Sequence, residues 1–207
     1  MTVGSLFLLL SVAVLLLWAT IAYNRLVGLR NASRNAFERI DAPLKQRHDL
    51  LPEVFAAVHA LGLPQRQRVS TAEAARHNAI SARAWAATQG VDPHAMHRLD
   101  AAESALTAGL ATLWAAVDSH PASHPASHPA SHRDAGWVHL RDRLLEIESR
   151  IDFARRGFNA TVDDYNRELN RLPTRWLAHL AGFRRSESLR ATPDSAHSGL
   201  SAAGTAA

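Results

Sequence analysis

The chain of 207 residues carries 23 Lys plus Arg against 19 Asp plus Glu, for a formal net charge of +4. It has no cysteine, which excludes disulfides, cysteine-ligated zinc and a thiol nucleophile. Its basic residues are interspersed with acidic ones and do not form a clustered basic face with aromatics, so nucleic acid is not expected as a partner.

The N-terminal stretch is almost wholly apolar from residue 3 to residue 22. About 20 such residues span the hydrocarbon core of a bilayer. A cleaved signal peptide would need a basic n-region, but residues 1–5 carry no charged side chain, and Thr20-Ile21-Ala22 is a poor cleavage site. Residues 1–22 are therefore predicted to be an uncleaved transmembrane signal anchor.

Positively charged side chains follow the anchor closely. They are Arg25, Arg30, Arg34, Arg39, Lys45 and Arg47. Because Lys and Arg near a membrane span favour the cytoplasmic side, the N-terminus is predicted outside and the following domain in the cytoplasm.

The chain after the anchor keeps apolar residues at helical spacing from Tyr23 to Leu61. Pro43 and Pro52 interrupt the pattern, and a kink is expected near each because proline removes a hydrogen bond and clashes with the preceding turn. Alternatively, Asp41 caps a helix that restarts with Pro43 in its first turn.

Two shorter helices are predicted in the middle of the chain. Residues 65–88 form the first, which ends near Gly90. Asp92 followed by Pro93 is a typical helix start, and apolar residues at helical spacing, Leu99, Leu106, Leu110, Leu113 and Val117, continue from it. Residues 119–132 then repeat Ser-His-Pro-Ala, which predicts a loop because each full unit contains proline.

The longest patterned helix is predicted over residues 133–172. Its apolar seam is too long to be buried alone, so it requires the first helix as an antiparallel partner. The fold predicted is all-α: a transmembrane helix followed by an antiparallel four-helix bundle with two long and two shorter helices. Next to the membrane, residues 24–36 and 160–172 are expected to pair as a two-helix stalk.

The segment after the long helix is amphipathic over residues 173–183. An antiparallel return places it beside Tyr23 at the bilayer surface, with Arg184 and Arg185 at the level of the lipid head groups. Residues 184–207 are rich in Ser, Ala, Thr and Gly and are predicted to be a disordered tail.

No residues form a convincing catalytic set, and no cofactor is expected. His48 and Asp49 are adjacent on a helix and point about 100° apart, so they cannot pair within it. His94 and His97 are interpreted as surface residues. A di-iron site is excluded because no Glu-x-x-His spacing occurs. The loop histidines His120, His124, His128 and His132 are weak metal candidates, with functionless repeat expansion as the favoured alternative.

Several motifs together resemble the LemA family of bacterial membrane proteins. The stretches are Tyr23 to Val27, Arg47 to Pro52, Arg150 to Arg156, Asp164 to Asn166, and Leu172-Pro173. The motif residues are Tyr23, Asn24, Arg47, His48, Asp49, Pro52, Phe153, Ala154, Arg155, Tyr165, Asn166 and Pro173. The resemblance covers residues 23–183, which are predicted to form a LemA-like bundle, and the departures are Pro43, weaker middle helices and the histidine repeat.

This resemblance implies a helical bundle anchored in the bacterial inner membrane and does not imply an enzyme. One branch of the family is linked to formation of magnetosome membranes. The function expected is a non-enzymatic scaffold or adaptor that binds the bilayer and either itself or another membrane-associated protein. The alternatives are an accessory subunit of a membrane-bound enzyme such as a protease, or metal handling through the histidine loop.

Overall fold

The structure, a computed structural model, describes residues 3–60, 66–118 and 132–190. These residues form helices and contain no strand, which confirms the all-α class. The helices are α1 (Val3–Ala60), α2 (Arg66–Gln89), α3 (Pro93–Asp118), α4 (His132–Asn170) and α5 (Thr174–Leu180). The histidine repeat before His132 lies outside the described residues.

Helix α1 is continuous through both of its prolines. Asp41 does not cap a restarted helix, since it lies within α1 and its two carboxylate oxygens each accept from Arg83 Nη1 of α2 at 2.9 Å. The N-terminal part of α1 exposes its leucines and is long and apolar enough, by length and composition, to cross a membrane. One helix thus combines the apolar segment with the first element of the folded domain.

The two long helices pack along each other in opposite directions. Arg25 Nη2 lies 3.1 Å from Glu168 Oε2, the rings of Phe37 and Phe158 are 6.1 Å apart, and Glu53 meets Arg143 at 3.7 Å. Across these three contacts the residue number increases along α1 and decreases along α4, so the two helices are antiparallel. The partner that the seam of α4 requires is therefore α1.

Helices α2 and α3 pack closely because small residues face each other. A Cβ added to Gly109 would lie 3.6 Å from Ala72 Cα, in ordinary contact. Further small residues are Ala79 and Ala86 on α2 and Ala95 and Ala102 on α3. All of these alanines are buried. The spacing between helix axes follows the side chains at the contact, so alanine and glycine permit close approach.

A two-helix stalk with its own small core extends from the main core. Leu26, Tyr165, Leu169 and Ala178 form this second cluster. The turn between α2 and α3 lies beside α1 at Arg34, where an added Cβ on Gly90 would come within 2.9 Å of Arg34 Nε. Toward the N-terminus from that level, α1 packs on α4 and α5, as the predicted stalk requires.

The chain after α4 differs from its prediction in one respect. The amphipathic segment forms α5, and the Phe183 ring packs edge-on against Tyr23 at 5.7 Å between centroids, as expected. Residues 184–190, predicted to be disordered, instead lie along α4 and bury Ser186 and Leu189. We call residues 184–190 the strap; residues 191–207 lie outside the described part of the chain.

Candidate functional site

A buried ionic cluster joins three helices in the main core. Arg47 of α1 is only 2% exposed, and its Nη1 donates to the two Glu148 oxygens of α4 at 3.0 and 3.3 Å. Its Nη2 pairs with Glu103 of α3. His48, also buried, places Nε2 3.0 Å from Glu103 Oε1. The cluster therefore fixes the register of α1 against both α3 and α4.

The electrostatics of this cluster favour the charged forms of Arg47 and Glu103. Burial alone would lower the pKa of Arg47, but Glu148 and Glu103 outweigh it and raise that pKa above its ordinary value. Burial alone would likewise raise the pKa of Glu103, yet Arg47 and His48 hold it below the usual range. A guanidinium between two carboxylates is the arrangement that makes buried charge tolerable.

A second set of side chains, on one face of α4, holds the strap. Asn166 Nδ2 donates to the Ser186 carbonyl at 2.9 Å, and the Ser186 N–H donates back to Asn166 Oδ1 at 3.0 Å. Asn159 makes the same pair of hydrogen bonds with Leu189, at 2.8 and 2.9 Å. Each asparagine thus binds both polar groups of one strap residue's backbone.

Further contacts fix both ends of the strap. Tyr165 Oη donates to the Arg184 carbonyl at 2.9 Å, and Arg155 Nη1 donates to the Arg190 carbonyl at 2.6 Å. The Arg190 N–H in turn donates to Asp100 Oδ1 of α3 at 2.6 Å. Three motif residues of α4, Arg155, Tyr165 and Asn166, therefore act on the main chain of the strap.

The remaining motif residues on α1 lie in different places. Tyr23 contacts Phe183, whereas Asn24 and Pro52 are exposed. Asp49 is exposed and accepts from Lys45 Nζ at 2.6 Å, and this hydrogen bond lowers the pKa of Asp49. It does not pair with the neighbouring His48, in agreement with the predicted helix geometry.

On α4 and beyond, Phe153 and Ala154 are neighbours with different environments. Ala154 is half-buried and packs against the main core, while the Phe153 side chain is 76% exposed. Phe153 lines an open groove of about 970 Å³ between α1 and α4, with Ala36 and Gly157 among the small residues beside it. Pro173, also exposed, directly precedes α5.

Of the four histidines predicted as weak metal ligands, one lies within the described residues. His120, His124 and His128 lie outside the described residues, and His132 begins α4. Among the described residues, no group of three or more His, Asp or Glu side chains is placed to hold a metal ion. His97 lies at the surface of α3 with Nδ1 3.2 Å from Glu187 Oε1 of the strap.

Sequence reasoning missed Glu103, Glu148 and Asn159. Glu148 lies between the apolar seam positions of α4, among charged residues interpreted as a solvated outer face, but the structure buries it. Glu103 and Ala102 are alternatives for one seam position of α3. The sequence did contain one indication of these residues. Arg47 lies on the seam of α1, and a charge buried there needs oppositely charged partners. No local sequence pattern identified Asn159, because its hydrogen-bond partner is the backbone of Leu189, 30 residues away.

Comparison with known proteins gives one family and two partial relatives. The model of the LemA family matches residues 36–199, a span that includes the ionic cluster, α4 and the strap. Magnetosome proteins MamQ 2 and MamQ 1 of Paramagnetospirillum magneticum (strain ATCC 700264 / AMB-1) are each 35% identical over 57 residues. Those residues are 28% of this chain and only 21% of each relative, so the similarity spans about a fifth of the relatives' length.

Proposed function

Because this chain belongs to the LemA family, we propose that it is a single-pass, membrane-anchored scaffold or adaptor protein without enzymatic activity of its own. In this proposal α1 to α4 form an antiparallel four-helix bundle in the cytoplasm, which presents surfaces for protein interaction or self-assembly at the inner membrane. The observation that carries the proposal is the exposed Phe153 in an open groove between α1 and α4.

The groove at Phe153 has the chemistry of a protein-binding surface. An aromatic ring exposed to this extent on a folded helix gives up the favourable free energy of burial, and such rings are common anchors at interfaces. Ala36 and Gly157 leave room beside the ring, and Arg39 and Arg156 also line the groove. An apolar anchor with guanidinium groups nearby suits a partner helix that carries apolar and acidic residues.

Two features support membrane anchoring through an uncleaved α1. The helix continues without interruption from the apolar segment through Ala22 and Tyr23 into the folded domain. Beside Tyr23, apolar side chains that the domain itself does not cover are exposed just before α5, at Leu172, and within it, at Trp176 and Leu180. In this proposal they enter the bilayer interface, with Arg184 and Arg185 among the lipid head groups.

The orientation of the anchor has a direct test. A reporter that is active only in the cytoplasm, fused after Ala207, is expected to work, and one that is active only in the periplasm is expected to be silent. The reverse result would overturn the proposed N-out orientation.

The adaptor role is tested by photo-crosslinking in native membranes. A photoreactive phenylalanine analogue at Phe153 is expected to capture a discrete protein, which mass spectrometry then identifies. The same analogue at Val138, which is 54% exposed on the same helix, is the matched control. Equal capture at the two positions, or none at Phe153, would contradict a binding role for the groove.

The identity of the captured chain separates the forms of this proposal. A second copy of this protein supports a self-assembling scaffold, and a different membrane-associated protein supports an adaptor. Capture of subunits of one membrane-bound enzyme, such as a protease, supports the alternative of an accessory subunit. With the photoreactive analogue placed at Arg156, which also lines the groove, Phe153→Glu should remove the capture without unfolding the domain, because the Phe153 side chain is largely exposed.

A further inference from the structure

Most of the hydrogen bonds that hold the strap go to its main chain. Asn159, Asn166, Tyr165, Arg155 and Asp100 all contact its main chain, through the hydrogen bonds described above. Contacts to backbone N–H and C=O groups provide affinity for any extended segment, while pockets for particular side chains provide specificity. The surface between α3 and α4 therefore has the features of a binding site for an extended chain. We call it the strap groove, to distinguish it from the groove at Phe153.

The spacing of the two asparagines fits an extended peptide. Asn159 and Asn166 are seven residues apart, so they lie on one face of α4 with a separation of about 10.5 Å along its axis. Ser186 and Leu189, which they bind, are three residues apart, and an extended chain covers about 10 Å over that distance. Helix and strap therefore match in length, with the strap running antiparallel to α4.

Specific recognition rests on three side chains of the strap. Leu189 is buried against the main core, Glu187 lies 3.2 Å from His97, and Arg190 Nε lies 3.4 Å from Asp100 Oδ2. All three contacts are made by one short segment that any copy of this protein carries. A second copy therefore offers the strap groove the same ligand as the chain's own strap.

We infer that the strap groove of one copy binds the strap of a second copy in place of its own strap. Neighbouring molecules would become linked by this strap exchange. The strap leaves α5 through a turn at Gly182, whose φ of 72° glycine adopts readily. In strap exchange, the chain would change direction at this glycine. The contacts within and between copies are identical, so the balance depends on the turn and on local concentration.

Confinement to a membrane raises that local concentration. The chain's own strap is tethered and has a high effective concentration, which favours the closed form in dilute solution. The straps of copies anchored side by side in one membrane also have a high local concentration, so they can compete with the chain's own strap. This inference rests on the proposed membrane anchor and adds a specific means of self-assembly to it.

Strap exchange is tested with two differently tagged full-length copies expressed in the same membrane. One copy carries His97→Cys and the other carries Glu187→Cys, two solvent-accessible side chains in a chain that otherwise has no cysteine. A short bismaleimide is expected to yield a product that carries both tags. A single copy with both substitutions should crosslink within itself, which verifies the reagent and the geometry.

The asparagines supply the specific control. Asn159→Ala with Asn166→Ala in the His97→Cys copy removes four hydrogen bonds to the strap, so the mixed product should fall by about tenfold or more. Asn170→Ala should leave the yield unchanged, because Asn170 Nδ2 donates to the Asn166 carbonyl within α4.

Two results would overturn strap exchange. One is the absence of the mixed product while the doubly substituted chain crosslinks within itself. The other is a mixed product that persists undiminished in the Asn159→Ala, Asn166→Ala variant, since this indicates random collision. Neither result affects capture at Phe153, so the adaptor proposal stands or falls separately.

Discussion

Arg47 and Glu148, 101 residues apart in sequence, form a double hydrogen bond in the core, at 3.0 and 3.3 Å. Arg47→Met would leave Glu148 and the largely buried Glu103 without their cationic partner. The expected loss in the free energy of unfolding is about 3 to 5 kcal/mol. Urea denaturation of the full-length protein in detergent, followed by circular dichroism, measures it.

The matched control for Arg47 is Arg167→Ala. Arg167 forms an ion pair with Asp164 at 2.6 Å, and both side chains are largely exposed. Surface pairs contribute no more than about 1 kcal/mol, so this variant should unfold close to the wild type. Equal losses in the two variants would show that the buried cluster does not stabilise the fold.

The pH dependence of stability follows from Glu103. Its pKa is lower in the folded state than the ordinary value of 4.5, so the unfolded chain binds more protons between the two pKa values. The stabilisation is therefore fully present above about pH 4.5 and is lost as the pH falls through the folded pKa. Acid titrations of unfolding should show a shallower decline in Glu103→Gln.

Glu53→Gln controls for the acid titration. Glu53 lies 3.7 Å from Arg143 with both side chains about half-exposed. An exposed pair contributes no more than about 1 kcal/mol, so Glu53→Gln should unfold close to the wild type. A wild-type slope in Glu103→Gln would mean that folding does not lower the pKa of Glu103.

The helices could be predicted because their signals are local. Apolar spacing, Asp92 and the prolines mark helices within a few residues of their ends, and the Asp92 carboxylate accepts from the N–H groups of His94 and Ala95, at 3.0 and 3.2 Å. The length of α4 then required α1 as a partner.

The strap could not be predicted, because its binding has no local pattern. Leu189 is the only large apolar residue among residues 184–190, and hydrogen bonds from distant side chains to its backbone hold it in place. Composition alone suggested disorder. The asparagine spacing on α4 was visible in the sequence, but its meaning depends on where the chain returns after Gly182.

A glycine in α4 provides a stabilising substitution. A Cβ added to Gly157 would have no atom within 4 Å apart from the neighbouring chain and helix backbone. Alanine in a helix interior is more favourable than glycine, so Gly157→Ala should raise the free energy of unfolding by about 0.5 to 1 kcal/mol. The change in thermal midpoint measures this.

Gly90→Ala is the opposing case. Gly90 has a φ of 65°, and an added Cβ would lie 2.9 Å from Arg34 Nε. An alanine in this left-handed conformation costs about 1 to 2 kcal/mol, so the thermal midpoint should fall. A rise in both variants, or a fall in both, would contradict the described backbone at one of the two sites.

The stalk is tested by disulfide formation between Asn31 and Asp163 after both are replaced by cysteine. The register set by Arg25 with Glu168 and by Phe37 with Phe158 brings these exposed positions to the same level. Oxidation in membranes should join them rapidly. Cysteines at Asn31 and Leu110 should remain apart, and preferential joining of that pair would mean that α4 does not return along α1.

The binding of the strap to α4 is measured most directly by hydrogen exchange at the backbone amides of Ser186, Leu189 and Arg190. Each of these N–H groups donates to a side chain of Asn166, Asn159 or Asp100. The bound strap predicts slowed exchange at all three amides in the wild type and fast exchange after Asn159→Ala with Asn166→Ala, while α4 stays protected. Exchange at the rate of a free chain in the wild-type protein would show that the strap does not lie along α4.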